Sequence, residues 1–291
     1  MTKVLQGVRV VELGTMITAP LAAMMLADLG ADVVKVENPQ GGDPFRSFRG
    51  GHYSPHFFAY NRGKRSIGLD LRQEAGKEAL RKLLADADIL IENYRTGVME
   101  RLGFSREALE ALNPRLIHCS ITGFGPTGPY SQRPAYDSVG LALSGISSLL
   151  LDPQEPQVCG PTIPDNATGM FACYGILGAL YERERTGKGR FVELNMLEAS
   201  IAFIPDPFAN YTMLDIDNQP LTRVASSHSF AFRCADGKLL AIHLSSQTKF
   251  WDGLLRVIGR PDLNNDPRFA TREARIAHFV ELTQALGAVF A

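Results

Sequence analysis

Short apolar runs alternate with helix-length patterns along the first two-fifths of this chain, and that alternation constrains the fold more than any other feature. Residues 7–13 read as a buried strand, 20–29 as an apolar helix stopped by Gly30, and 32–37 as a second strand. The pattern then repeats. A strand over 65–71, an amphipathic helix over 73–86, a strand over 89–92, a capped helix over 105–112 and a strand over 116–122 follow in order. Strands separated by helices predict a parallel, doubly wound α/β sheet, because a parallel pair needs a long crossover.

Such a sheet often binds a dinucleotide at its first strand-to-helix turn, so that turn needs inspection. Leu13-Gly-Thr-Met-Ile-Thr-Ala-Pro20 carries one glycine where the dinucleotide fingerprint needs three, and Met16 and Ile17 would obstruct a pyrophosphate. The expectation is a Rossmann-like topology without a nicotinamide cofactor.

Composition excludes several other classes. A net charge of -1 over 291 residues offers no basic field for nucleic acid. No apolar run reaches bilayer-spanning length, and the N-terminus lacks an apolar leader core, so no membrane association is expected. Cys119, Cys159, Cys173 and Cys234 are scattered without a CxxC pair, which reads as a reduced, cytoplasmic protein. His52, His56, His118, His228, His243 and His278 form no zinc-binding spacing, so no metal is expected.

One carboxylate stands out. Asp165 sits in Gly160-Pro-Thr-Ile-Pro-Asp-Asn-Ala-Thr-Gly169, a stretch of small residues and prolines entering an apolar helical pattern that ends near Arg190. Taken alone, an Asp at a helix entrance is an N-cap. The surrounding Gly160, Ala167, Gly169 and Ala172 suggest a second role, since they leave backbone uncovered around a group that could attack an acyl carbon.

The segment from Pro164 to Glu193 closely resembles the signature of the class III coenzyme A transferases, the superfamily that includes formyl-CoA transferase, carnitine CoA-transferase and α-methylacyl-CoA racemase. Further blocks resemble it as well: Gly7-Val-Arg-Val-Val-Glu-Leu13, Pro20, Leu29-Gly-Ala-Asp-Val-Val-Lys-Val-Glu37, Gly42-Asp43, Asn61-Arg-Gly-Lys-Arg-Ser-Ile67, Asp88-Ile-Leu-Ile-Glu-Asn93 and Phe232-Arg-Cys-Ala-Asp-Gly237. The resemblance implies an acyl-CoA:carboxylate CoA-transferase in which Asp165 is the nucleophile, passing through an aspartyl anhydride and an aspartyl-CoA thioester. Coenzyme A is then a co-substrate, and no other cofactor is implied.

By position in the family pattern, Ile17 and Thr18 would line the adenine or pantetheine, and Leu69, Asp70, Leu71 and Arg72 would hold the adenine. Asn93, Tyr94 and Arg95 would meet the pantetheine, Arg101 a phosphate, and Tyr136 would lie beside the thioester. Read alone, Arg72, Arg95 and Arg101 are each solvated surface charges. Asn38 stands where some relatives carry a phosphate-binding Arg. The related racemases place a His at the position of Tyr136, and a tyrosine, titrating near 10, is poorly matched to proton abstraction. Transferase chemistry is therefore preferred over the alternatives, a racemase-like isomerase or an inactive CoA-binding fragment. No glycine-rich loop appears between Pro205 and Phe232, which argues against oxalate and leaves a dicarboxylate, a carnitine-like or an aromatic acid as acceptor. Arg223 and His228 lie where a substrate carboxylate could be met.

The domain expectation is a large CoA-binding domain over 1–204, a linker over 205–225 and a smaller α/β domain over 226–291. Within the latter, a hairpin over 230–244 and helices over 250–258 and 272–290 are expected. The resemblance implies that family chains continue further, so this small domain reads as incomplete, and that full-length relatives form interlocked homodimers.

Overall fold

The computed structural model describes residues 3–51 and 53–291, so Met1, Thr2 and His52 lie outside the described residues. Six strands form one parallel sheet: β1 (Arg9–Glu12), β2 (Asp32–Glu37), β3 (Lys64–Gly68), β4 (Ile89–Glu92), β5 (Ile117–Thr122) and β6 (Phe191–Asn195). Their order is β3-β2-β1-β4-β5-β6. The chain therefore runs outward from β1 in one direction, returns, and continues on the other side from β4. In a sheet of this kind the crevice lies at the carboxyl ends of the two strands where the order reverses, here β1 and β4.

The helices between them are α1 (Thr18–Asp28), α2 (Pro55–Asn61), α3 (Glu74–Ala85), α4 (Val98–Arg101) and α5 (Arg106–Leu112). Then come α6 (Asp137–Leu143), α7 (Ile146–Leu150), the 24-residue α8 (Ile163–Thr186) and α9 (Met196–Phe203). Strand side chains alternate between faces, which divides the core in two. Val10, Ile89, Ile91, Ile117 and Cys119 pack with Ala19, Ala22, Ala23 and Leu26 of α1 and Ala172, Cys173 and Ile176 of α8. On the opposite face Val11, Val36 and Leu90 pack with Leu80 and Leu84 of α3, Met99 of α4 and Leu109 of α5.

The small residues within α8 are explained by its neighbour, whereas Gly160 ahead of it is exposed. A Cβ at Gly169 would lie 2.7 Å from the Thr18 carbonyl oxygen, and Ala167 and Ala172 are buried. They form a seam that lets α8 approach α1, which corrects the expectation that they leave backbone open around Asp165.

The chain separates into two compact units, one running up to Ser147 with Val158–Pro205, the other Ser148–Gln157 with Asp206–Ala291. Within 205–225, read as a linker, the backbone forms α10 (Pro205–Leu214) and α11 (Thr222–Ser226). Pro205 and Pro207 sit in the first turn of α10, where a missing N–H costs nothing. In the second unit β7 (Ser229–Arg233) and β8 (Leu239–His243) pair antiparallel. Phe230 stacks on Phe279 and Phe232 on Phe290, each pair with ring centroids 5.0 Å apart. Trp251 and Leu255 of α12 (Thr248–Ile258) share that core with Phe269.

The helix expected over 272–290 is two helices, α13 (Arg272–Ala277) and α14 (Phe279–Phe290), separated by His278 at φ -109°, ψ 35°. The buried residues Arg275, Phe279, Leu282 and Leu286 keep helical spacing across the break, so the pattern alone does not register it.

Candidate active site

The turn after β1 is held from two sides. Gly14 is a close approach, because a Cβ there would meet Ala19 Cβ at 2.3 Å. Asn93, just beyond β4, accepts a hydrogen bond from the Thr15 N–H at 3.0 Å and donates to the Thr15 carbonyl and Thr18 Oγ1, each at 2.9 Å. From the other side, the Met16 N–H donates to both carboxylate oxygens of Asp43 at 3.2 Å. Met16 takes φ 66°, a left-handed conformation that costs a non-glycine residue about 1–2 kcal/mol.

Asp43 is itself part of a buried ionic network. In the β1–β2 register Glu12 lies opposite Lys35, and the Lys35 ammonium sits 2.7 Å from Glu12 Oε1 and 2.9 Å from Asp43 Oδ2 while donating to the Gly14 carbonyl at 2.8 Å. Lys64 Nζ lies 2.7 Å from Glu12 Oε2 and donates to the Pro20 carbonyl and Asn61 Oδ1. The side chains of Lys35 and Glu12 are 1% and 0% exposed. Burial alone would push the Glu12 carboxyl up, but Lys35 and Lys64 outweigh it and hold it below its ordinary value. Burial would likewise depress Lys35, yet Glu12 and Asp43 keep it charged. Lys64 is less well compensated: burial and the charge of Lys35 draw it down to about 8 against the pull of Glu12. Beside this network Arg46 grips Glu37 through two hydrogen bonds, 2.8 and 2.6 Å, and Ser66 donates to the same carboxylate.

Asp165 has a different environment. It lies in the first turn of α8, whose N-cap is Thr162, so the capping explanation does not apply to it. Its backbone N–H donates to Asp137 Oδ1 at 3.2 Å, and Asp137 opens α6 directly after Tyr136. Burial, and then the negative charge of Asp137, push the Asp165 carboxyl up to about 7. Burial also raises Asp137, opposed by the hydrogen bond from the Asp165 N–H. The result is a half-buried carboxylate at a helix N-terminus beside another carboxylate.

Asp165 borders a cavity of about 500 Å³ at the switch point of the sheet. Of the residues singled out in the sequence, Ile17, Thr18, Asn93, Tyr94, Arg95 and Tyr136 line it with Asp165. Tyr136 is exposed, at 67%. Leu69, Asp70, Leu71, Arg72 and Arg101 are not part of that lining. Leu69 and Leu71 pack against the core under α3, and Arg72 pairs with Asp70 at 2.8 Å on the surface. Arg101 ends α4, exposed. Arg223 and His228 belong to the second unit, where Arg223 Nε lies 3.5 Å from Asp206 and His228 is buried.

The sequence reading missed Thr15, Met16, Pro44, Arg133 and Met196 as lining residues. For Thr15 and Met16 a signal existed, since they follow the carboxyl end of β1 where an open α/β sheet builds its crevice. Arg133 stacks over the Tyr130 ring at 4.1 Å from a loop that carries no periodic pattern. Cys119 and Cys173 are buried and their thiols are pushed up by burial, so neither is a nucleophile in waiting. Among the described residues no group of His, Cys, Asp and Glu could hold a metal ion, and no helix is long and apolar enough to cross a membrane.

A doubly wound sheet with a cavity at its switch point, bordered by a half-buried aspartate, defines an α/β protein with a ligand-sized site at the carboxyl ends of its strands. The profile of CoA-transferase family III matches residues 5–291, and the chain belongs to that family. It is 37% identical to a succinate–glutarate CoA-transferase of Agrobacterium fabrum, across 97% of this chain and 73% of that protein. It is also 37% identical to an acetyl-CoA:oxalate CoA-transferase of Acetobacter aceti, across 96% of this chain and 73% of that one. Among solved structures, a CaiB/BaiF family protein from Brucella suis superposes with a TM-score of 0.87 at 35% identity, covering all of this chain and 79% of its own. The protein is thus an enzyme of the class III CoA-transferase type.

Proposed function

We propose that the protein moves coenzyme A from an acyl-CoA to a small carboxylic acid, with Asp165 as the covalent nucleophile. The observation that carries this reading is the Asp165 carboxylate on the cavity wall, raised to about 7 by burial and Asp137. Its ionised form attacks the thioester carbonyl to give an aspartyl-acyl anhydride and CoA thiolate. The thiolate attacks the aspartyl carbonyl of that anhydride, forming an aspartyl-CoA thioester and releasing the donor acid. The acceptor carboxylate then attacks the aspartyl thioester, expelling the thiolate and forming a second anhydride. Attack of the thiolate on the acceptor acyl carbon yields the new acyl-CoA and regenerates Asp165. Each step exchanges one acyl bond for another, so no net hydrolysis is needed.

Ile17, Thr18, Asn93, Tyr94 and Arg95 would flank the pantetheine arm, and Tyr136 the thioester. The names of the relatives, succinate–glutarate and oxalate transferases, favour a dicarboxylate as acceptor. A homodimer of two copies of the chain is the assembly proposed. Incubating the enzyme with acyl-CoA donors and dicarboxylates while following new thioesters by chromatography tests the reading. Transfer by the wild type and none by Asp165→Ala, with acyl-CoA still bound, is expected. Deuterium exchange at the acyl α-carbon without any acceptor would mark an isomerase instead.

A further inference from the structure

We propose that Asp43 is a positioning residue for the acyl-CoA site, acting through the backbone of Met16. The inference rests on the reading of the cavity as that site. Thr15, Met16, Ile17 and Thr18 form one wall of the cavity, and the backbone of this wall turns through the left-handed conformation at Met16. A residue with a Cβ does not stay there without being held. The holding contact is the paired hydrogen bond from the Met16 N–H to Asp43.

Asp43 is well built for that task. Its own N–H donates to Glu37 Oε1 at 2.8 Å, its Oδ1 accepts the Phe45 N–H at 2.9 Å, and its Oδ2 faces the Lys35 ammonium. Glu37 is in turn fixed by Arg46. The carboxylate is thus locked from three directions, with its side chain fully buried. Lys35 also donates to the Gly14 carbonyl, two residues before Met16, so one ammonium ties both the clamp and the start of the turn.

A structural role for Asp43, balancing the charge of Lys35 or capping the turn at Pro44–Ser47, would leave Met16 irrelevant. The two roles are separable because glycine adopts the left-handed conformation freely. The experiment uses Asp43→Ala, which leaves the Met16 N–H no side-chain acceptor, together with the double variant Lys35→Met/Asp43→Ala, which removes both charges and spares the core an unbalanced lysine. Each is made with and without Met16→Gly. Steady-state constants for acyl-CoA and for the acid acceptor, calorimetric acyl-CoA affinity and Tm are measured on all of them.

The expected result is an acyl-CoA KM and Kd raised about tenfold in both clamp variants, with the acceptor KM within about twofold of wild type. Adding Met16→Gly should return the acyl-CoA constants to within about threefold of wild type while leaving any loss of Tm in place. Unchanged acyl-CoA constants in the clamp variants, or constants that Met16→Gly fails to restore, would overturn the proposal. A wild type that binds acyl-CoA without transferring it sinks the transferase reading, and the affinities still judge Asp43. A wild type that binds no acyl-CoA overturns both.

Discussion

Glu12 and Asp165 are both carboxylates inside the same compact unit, and their surroundings drive them in opposite directions. Glu12 faces two ammonium groups at 2.7 Å and is held ionised despite full burial. Asp165 has burial and the Asp137 carboxylate against it and titrates near 7. Burial is common to both, so the neighbours decide. A paired carboxylate is chemically quiet, because its lone pairs are committed and protonation is unfavourable. An unpaired one is destabilised in its charged form, and that stored cost is available to a bond-forming step.

The largest effect that could break this contrast is on turnover. Asp165→Ala should lower the transfer rate by at least about 10³-fold, since it removes the proposed nucleophile. Steady-state rates with a saturating donor check it, and retained turnover would end the contrast.

Stability comes next. Glu12→Gln strands Lys64 without a carboxylate and leaves Lys35 with Asp43 alone, a change expected to cost about 3–5 kcal/mol in urea unfolding. A loss under about 1 kcal/mol would show the network to be dispensable.

Asp165→Asn should move stability the other way, with a pH dependence of defined sign. A carboxyl raised from 3.8 to about 7 on folding contributes most below its unfolded value and loses that contribution as pH rises through the folded one. The variant should therefore be more stable than wild type near pH 8, by on the order of 2–4 kcal/mol, with the difference vanishing below about pH 4. Glu12, lowered on folding, stabilises above its unfolded value and loses that contribution in acid. A wild type and Asp165→Asn pair with parallel pH–stability curves would remove the unusual titration of Asp165.

The smallest effect sharpens the picture of the wall between the two regions. Asn93→Ala deletes three hydrogen bonds to Thr15 and Thr18 and should cost about 1–3 kcal/mol in unfolding while weakening acyl-CoA binding. Unfolding curves and calorimetry read both.

Asp165 could be singled out from its local sequence and the network around Glu12 could not, for a physical reason. Strands β2 and β4 are short runs rich in Val, Ile and Leu whose limits, Asp32–Glu37 and Ile89–Glu92, follow from local pattern alone. The network of Glu12, Lys35, Asp43 and Lys64 depends on the register of three strands and on a loop, so four charges scattered over 53 residues carry no local sign of meeting. The same holds for Arg133, whose place in the cavity lining is set by a loop. The break at His278 and the helices within 205–225 went unread because a local change of backbone angle leaves the apolar spacing intact and because prolines in a first turn look like loop residues.

The central claim is that the unpaired aspartate, and not a buried paired acid or a thiol, becomes acylated. Hydroxylamine trapping during turnover with acyl-CoA, followed by peptide mapping, tests it directly, because an aspartyl anhydride or thioester is converted to a stable hydroxamate. The account predicts hydroxamate on Asp165 alone, absent without acyl-CoA and absent in Asp165→Ala. Modification on Glu12, on Asp137 or on any of the four cysteines in place of Asp165, under conditions where CoA is being transferred, would contradict it.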